Sequence, residues 1–554
     1  MLPLLGLLVV LGGRTGGQDW PAYMHDNSRS GVTTMSLDLP LQPAWTFRTL
    51  RPPAPAWPAP ARQDFFHDHF DLRAVETYDH AFHAIAAGGA VYFGSSSQNK
   101  VYALKAESGA LLWTFLTEGP VRFAPVFYDG RIYVGADDGQ TYCLSAGEGS
   151  LLWKRRIASD ERLVPGNGRM ISLWPIRTGL VVADGTVYGT AGLFPEQGTY
   201  LAALEARTGD VKYRQPLKIL PQGYMLASRQ RLYIPTGRTN PVLFSRADGQ
   251  AQGQLASAGG AYAVLMDDVL VSGPGRGPKE LQAGDVVTNE TVATFGGLRI
   301  VVTGGVAYMQ SERQLAALDR GRYLVLSRER MQLLRKRDAA KKSLAKLEKN
   351  EPEAQKLQSE IESLHGQVRK LDAELKTCYL WTTPSTHSYS MIVAGKTLFV
   401  GGDNEVAAID SEKGQTIWTG RVEGRAFGLS AASGALYVST DTGRIHCFRH
   451  AVEAEPRIAA EEACGTSPYP QDELSQRYQE AADDILRQLP SKKGYALVLD
   501  NGEGRLAYEL ARRSEFQIVA VESDVDRVDK ARRLLDAAGL YGRVAVHHVT
   551  GSRW

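Results

Sequence analysis

Gly89-Ala90-Val91-Tyr92-Phe93-Gly94, followed by Val101-Tyr102-Ala103-Leu104, Ser108-Gly109 and Leu111-Leu112-Trp113, is a phrase that the chain repeats. The next copy runs Gly130-Arg131-Ile132-Tyr133-Val134-Gly135, then Tyr142-Cys143-Leu144, Gly149 and Leu151-Leu152-Trp153, about 40 residues further on. Each copy reads as an apolar strand, a turn, an alternating strand, a glycine turn and a strand ending in Trp. Looser copies carry Val187-Tyr188, Leu232-Tyr233, Val269-Leu270, Ala307-Tyr308, Leu398-Phe399 and Leu436-Tyr437. Eight occurrences at this period predict a mainly β, eight-bladed β-propeller, because one such sheet cannot bury both faces and a closed ring can. Trp45, in Pro43-Ala44-Trp45-Thr46-Phe47, reads as the end of a blade whose other strands come from the far end of the chain.

Composition agrees with many short strands. Glycine is 56 of 554 residues, about one in ten, above the usual ~7%. Lys plus Arg is 63 against 61 Asp plus Glu, a net charge of +2, which lacks the basic excess of a general nucleic-acid binder. No apolar run reaches the roughly 18 residues of a membrane span. Leu2 to Leu11 has the length of a signal peptide, although it lacks a basic start and a small-residue cleavage site. Residues 1–17 are therefore read as a signal segment and the protein as exported, with a cytoplasmic location the alternative. The four cysteines are widely spaced, which excludes a zinc ribbon, a c-type haem site and a disulfide scaffold. Cys143 and Cys447 occupy the place of Ala103 in the repeat and read as small core residues.

Over residues 18–450 the phrase, with the lead-in Asp19-Trp20-Pro21 and Ser30-Gly31, resembles the pyrroloquinoline-quinone (PQQ) type repeat of quinoprotein dehydrogenases. It equally resembles the exported, non-enzymatic propeller of the outer-membrane β-barrel assembly machinery. The dehydrogenase resemblance would imply a vicinal cysteine pair over the cofactor, which this sequence lacks, so PQQ is not expected. Registration of the repeats gives a finer expectation. Eight residues before the glycine of the second-strand phrase lie Arg122, Arg177 and His387, and the equivalent count from Gln230 reaches Gln222. These positions should begin the innermost strands, giving a polar, partly cationic funnel for an anionic ligand or an acidic peptide loop, or simply capping strand ends in a wet channel. His67, His69, His80 and His83 have spacings that could bring two imidazoles to one metal, although histidines that merely hydrogen-bond are the commoner case.

The β-pattern stops over 324–377. Leu357, Ile361, Leu364, Val368, Leu371 and Leu375 form a heptad seam, and Leu333, Ala340, Leu344 and Leu347 a poorer one, with Asn350-Glu351-Pro352 between them. An antiparallel coiled-coil hairpin is expected, with a solvated basic face or a role in docking or dimerisation. Residues 451–472 read as a polar linker, and 473–554 change texture. Tyr495-Ala496-Leu497-Val498-Leu499-Asp500, Asn501-Gly502-Glu503-Gly504, a helix and Ile518-Val519-Ala520-Val521-Glu522 spell strand, glycine turn, helix and strand, with an acid about 20 residues after the turn. This stretch resembles the first half of a class I S-adenosylmethionine (SAM)-dependent methyltransferase, an incomplete Rossmann-like α/β domain. The resemblance implies that Asp500, Gly502 and Gly504 meet the methionine portion of SAM and Glu522 its ribose. The functional expectation is an exported binding or assembly scaffold with protein partners. The rivals are a methyltransferase in a longer parent chain, with the propeller presenting substrate, and a PQQ-dependent oxidoreductase.

Overall fold

The repeat folds as its alternation dictates. In the first copy Ile85–Ala87, Ala90–Ser95, Lys100–Lys105 and Leu111–Leu116 form a four-stranded antiparallel sheet. Tyr92 lies opposite Ala103, and Ala103 opposite Trp113. Cys143 stands in the same way between Tyr133 and Trp153, and Cys447 between Tyr437 and Trp45. A small residue is needed wherever two large rings flank one strand position, and both thiols are buried and unpaired. The computed structural model describes residues 19–57, 77–166, 169–237, 239–274, 280–347, 352–452 and 455–549.

Six four-stranded sheets of this kind succeed one another from Ile85 to Pro384, and a nine-stranded sheet completes the propeller. The long sheet arises because the 17-residue strand Thr416–Ala432 pairs first with Asp403–Asp410 and then with Ala435–Thr440. At its far side the N-terminal strand Leu41–Arg48 lies antiparallel to Arg444–His450, from Leu41 opposite His450 to Arg48 opposite Arg444. The ring is thus closed by strands about 400 residues apart.

Neighbouring sheets are fastened by tryptophan. The indole N–H of Trp45 donates to the Ala106 carbonyl of the next sheet at 3.0 Å, Trp113 to Ala146, Trp153 to Ala206 and Trp381 to Ser411, and within the long sheet Trp418 donates to Leu41. Each of the first two rings lies flat on a turn glycine of that sheet. At Gly109, φ is +66° and a Cβ would stand 2.6 Å from the Trp45 ring; Gly149 meets Trp113 in the same way. The glycine excess and the tryptophan spacing are two halves of one contact.

Helices α1 (Arg320–Leu344) and α2 (Pro352–Lys376) are inserted between the third and fourth strands of one sheet, Gln314–Asp319 and Tyr379–Pro384. They lie antiparallel, with Arg330 bonded to Asp372, and Ile361, Leu364, Val368, Leu371 and Leu375 are buried along α2. The base of the pair belongs to the propeller core: Tyr323 stacks on Phe295 at 5.1 Å and donates to the Thr294 carbonyl. No described helix is long and apolar enough to cross a membrane.

After the ring, the stretch read as a linker supplies a further strand, Arg457–Ala460, parallel to the closing strand Leu41–Arg48. Three parallel strands follow, with Glu515–Glu522 between Lys493–Val498 and Val544–His548, accompanied by α3 (Glu473–Arg487), α4 (Arg505–Arg513) and α5 (Val525–Ala537).

The closing seam titrates. His446 is buried there, its Nδ1 3.1 Å from Thr46 Oγ1 while Nε2 receives the Glu423 amide at 3.4 Å. Burial, aided by Arg444, pulls its pKa from 6.5 down to about 4. A histidine kept neutral by the fold contributes stability above its ordinary pKa and loses it as the pH falls toward the folded value. The thermal midpoint should therefore drop between pH 7 and pH 5. His446→Gln should lessen that drop without abolishing it, because buried His83 is held down to about 4 as well. A melting series in the two buffers checks this.

Candidate functional site

The chain's first described segment closes one end of the central channel. Trp20 bridges to Ala86, the Pro21 carbonyl accepts from Phe127, Asn27 bonds Val182 and Ala227, Ser28 accepts from Leu265 and Gly31 from Val393. Residues 20–31 therefore touch the first strand of one sheet after another. Arg29, fully buried, ties this plug down: its guanidinium donates to the carbonyls of Leu180, Met225, Tyr23 and Asp26. The Asp-Trp-Pro and Ser-Gly lead-in is thus the stopper of the ring.

The other end is an open funnel of about 400 Å³, lined by Tyr23, His83, Tyr224, Tyr262, Arg299 and Phe427, with His80, Glu312, Tyr389 and Arg425 also facing it. Its floor is the Tyr23–Tyr224 stack, ring centroids 3.5 Å apart and nearly parallel.

Around this open end stand the residues singled out by registration. Arg122 and Arg177 are 5% and 1% exposed, and both bind Asp137, itself fully buried. Arg122 Nε meets Asp137 Oδ2 at 2.6 Å and its Nη1 meets Asp79 Oδ2 at 2.9 Å, while Arg177 Nε reaches Asp137 Oδ1 at 2.8 Å. Two guanidiniums and two carboxylates cancel, so this pair adds no net positive charge to the funnel. Arg122 also donates to the Ala54 carbonyl, and Asp79 accepts from the Ala56 amide, fixing the segment that crosses the open face. Gln222 is buried and accepts from Trp57 Nε1 at 2.9 Å. His387 is half-buried, with Nε2 3.0 Å from Glu405 Oε1. His80 and His83 both face the funnel, His80 edge-on to Phe427 at 5.4 Å. His67 and His69 lie outside the described residues, and among the described residues no group of three metal-ligating side chains comes together.

In the α/β unit the glycine turn and the acid do meet. The Gly502 amide donates to Glu522 Oε2 at 2.7 Å, and the Ser523 and Asp524 amides donate to Oε1 at 2.9 and 3.0 Å. Burial alone would raise the Glu522 pKa, but these amides leave it lowered. Gly504 caps α4, and a Cβ there would lie 2.9 Å from the Tyr469 hydroxyl, which donates to the Glu503 carbonyl. Asp500 is exposed.

Sequence reasoning missed how this unit is held. It sits on the turn Ser95–Asn99 and on Thr117–Glu118, at the open face. Lys100, 1% exposed, bonds Glu461 and Asp536, and Glu461 also accepts from Tyr102 at 2.8 Å and Gln98 at 2.9 Å. Glu118 pairs with Arg532 at 3.0 Å, and Tyr541 donates to the Thr117 carbonyl at 2.8 Å. The available signal was Lys100 itself, a lysine opening a strand whose counterpart in the next copy is the uncharged Gln140.

Breaking a buried ion pair by removing one partner strands the other and costs about 3–5 kcal/mol, against about 0–1 for an exposed pair. Asp137→Asn should lower the thermal midpoint markedly, since Arg177 then keeps no carboxylate. Asp129→Asn, at the exposed pair with Arg131, should leave it nearly unchanged. Parallel melts of the two variants decide it.

Residues 45–173, 98–322 and 364–554 match the family described as outer membrane protein assembly factor BamB. The assembly factor BamB of Yersinia pestis is 25% identical over 191 residues, 33% of this chain and 46% of that protein. That of Moranella endobia (strain PCIT) is 24% identical over 202 residues, 34% of this chain and 49% of that protein. The matched region thus spans about half the length of these curated relatives. Among solved structures, the quinohemoprotein alcohol dehydrogenase from Comamonas testosteroni superposes with a TM-score of 0.51 at 12% identity, covering 84% of each chain, a likeness of fold alone. With three matched segments that together span most of its length, the chain belongs to the family described as outer membrane protein assembly factor BamB.

Proposed function

We propose that this chain is an exported, periplasmic binding and assembly scaffold: an eight-bladed ring that engages protein partners through its open face. The observation that carries the reading is the state of the polar groups nearest the axis. Arg122, Arg177, Asp79, Asp137 and Gln222 are bonded to one another or to the segment crossing the face. Groups spent in this way fix a shape, and a fixed surface lowers the ordering cost of binding. Two carboxylates beside an exposed guanidinium, Asp403 and Asp441 around Arg425, give the rim a mixed charge suited to protein contacts. The relatives' name, outer membrane protein assembly factor, points the same way.

The α/β unit is read as similar to the first half of a SAM-dependent methyltransferase, on its parallel strand order and the contact of Gly502 with Glu522. Within this chain we assign it a docking role. Both Glu522 oxygens already hold backbone amides, and the Tyr469 hydroxyl occupies the space over Gly504.

A tagged chain expressed in its own organism should fractionate with the envelope and co-purify with a β-barrel assembly protein identified by mass spectrometry. Recovery from the cytosol without an envelope partner overturns the scaffold reading. Calorimetric titration of the purified chain with SAM should give no saturable heat, and stoichiometric binding would overturn the docking role of the α/β unit.

A further inference from the structure

Two groups in the funnel are unspent. Among the described residues Arg299 donates through Nη1, to the Ser388 carbonyl at 2.8 Å and toward Gln310 Oε1 at 3.4 Å, and no carboxylate pairs with it. His83 is 7% exposed, yet its Nε2 has no hydrogen-bond partner. Burial and the nearby Arg299 keep this imidazole neutral. A neutral imidazole carries one N–H and one bare acceptor nitrogen, so the unpartnered Nε2 can accept from a ligand. Among the described residues the funnel wall therefore holds one uncompensated donor fork and one vacant acceptor.

The surfaces between them are largely aromatic rings. The Tyr224 hydroxyl accepts from the Ala124 amide, Tyr262 donates to the Ile300 carbonyl and Tyr389 donates to Asp403. What these side chains present to the cavity is aromatic area, extended by Phe427 and by the edge of His83, 5.1 Å from Tyr23. At about 400 Å³ the space falls within the range of small-molecule sites.

We propose that the funnel binds a small aromatic monocarboxylic acid carrying a hydroxyl or ring N–H at its far end. The carboxylate takes the free N–H groups of Arg299, the far donor bonds His83 Nε2, and the ring lies among the tyrosines and Phe427. Among the described residues facing the funnel, Arg299 is the guanidinium with no carboxylate beside it, since Arg425 stands between Asp403 and Asp441, and this sets the ligand charge at one. Arg29, Arg122 and Arg177 offer no second cation, since backbone carbonyls or carboxylates hold them. This site rests on the reading of the chain as a binding protein and adds a ligand to it.

Calorimetry on the full chain, with no partner present, tests the assignment with 4-hydroxybenzoate, benzoate and phenol. 4-Hydroxybenzoate should bind with a Kd below about 1 mM, benzoate more weakly and phenol weakest. Arg299→Gln should weaken both acids roughly ten- to a hundredfold, the loss expected of one charge-assisted hydrogen bond. His83→Phe should erase the preference for 4-hydroxybenzoate over benzoate while keeping the ring surface. The three-ligand ranking on the unaltered chain needs no variant to fold. Absence of saturable heat at millimolar 4-hydroxybenzoate overturns the proposal, as does equal binding of phenol or full affinity in a folded Arg299→Gln chain. Such a failure leaves envelope co-purification untouched, so the two readings fall separately.

Discussion

The tryptophan–glycine contact between neighbouring sheets is the constraint on which the rest depends. A β-sheet of four short strands has two faces to cover and an edge to protect. Here the indoles of Trp45, Trp113, Trp153 and Trp381 each lie across to the next sheet, bond a turn carbonyl there and rest on a glycine that has no Cβ to obstruct them. Where the contact recurs it sets the spacing between sheets, with Tyr213 taking the place of tryptophan under Gly249, and a side chain on the turn glycine would push the ring apart. The small residue between the tyrosine and tryptophan of each strand set, Ala103, Cys143 or Cys447, is the same demand seen within a sheet.

A ring set by these contacts leaves two open ends, which the chain treats differently. One is stoppered by residues 20–31, whose backbone pairs with successive inner strands and whose Arg29 spends its donors on carbonyls. The other stays open and gathers the polar side chains. The contrast follows from what each end must hold. A peptide segment satisfies inner strand ends with main-chain bonds, whereas an open funnel needs side chains that remain ordered while wetted, and ion pairs such as Arg122 with Asp137 supply that order.

The ring was legible in the sequence because its period, strand alternation and glycine turns are local features repeated many times. Even the closing role of Trp45 could be read, since it ends a phrase that nothing upstream begins. The charges around the funnel were legible only by half. Registration found Arg122 and Arg177, which recur at one position, but not Asp79 and Asp137, which reach them from other turns and turn a cationic expectation into a neutral cluster. Arg299 escaped because the counted position in its sheet falls on Gly297. In the α/β unit the glycine turn and the acid after it were readable from spacing, whereas their direct contact was not, and Tyr469 over Gly504 came from a stretch that looked like a linker. Long-range partners leave no periodic trace in one sequence.

Ring closure and the seating of the α/β unit are one event in physical terms. The strand Leu41–Arg48 has Arg444–His450 on one side and Arg457–Ala460 on the other, so the chain leaving the ring immediately covers the edge of the strand that closed it. The very next residue, Glu461, accepts the Leu50 amide and the Lys100 ammonium. Lys100 belongs to the first sheet and Glu461 follows the last, and the same lysine pairs with Asp536 of α5. A unit tethered this closely docks as an intramolecular step at high effective concentration, and its ion pairs form only when the first and last sheets are already side by side. The seated unit therefore acts on the ring as a bound ligand acts on a native state, favouring the closed form over every opened one. The buried lysine, costly where it stands alone, makes the fit of the two parts depend on closure of the ring.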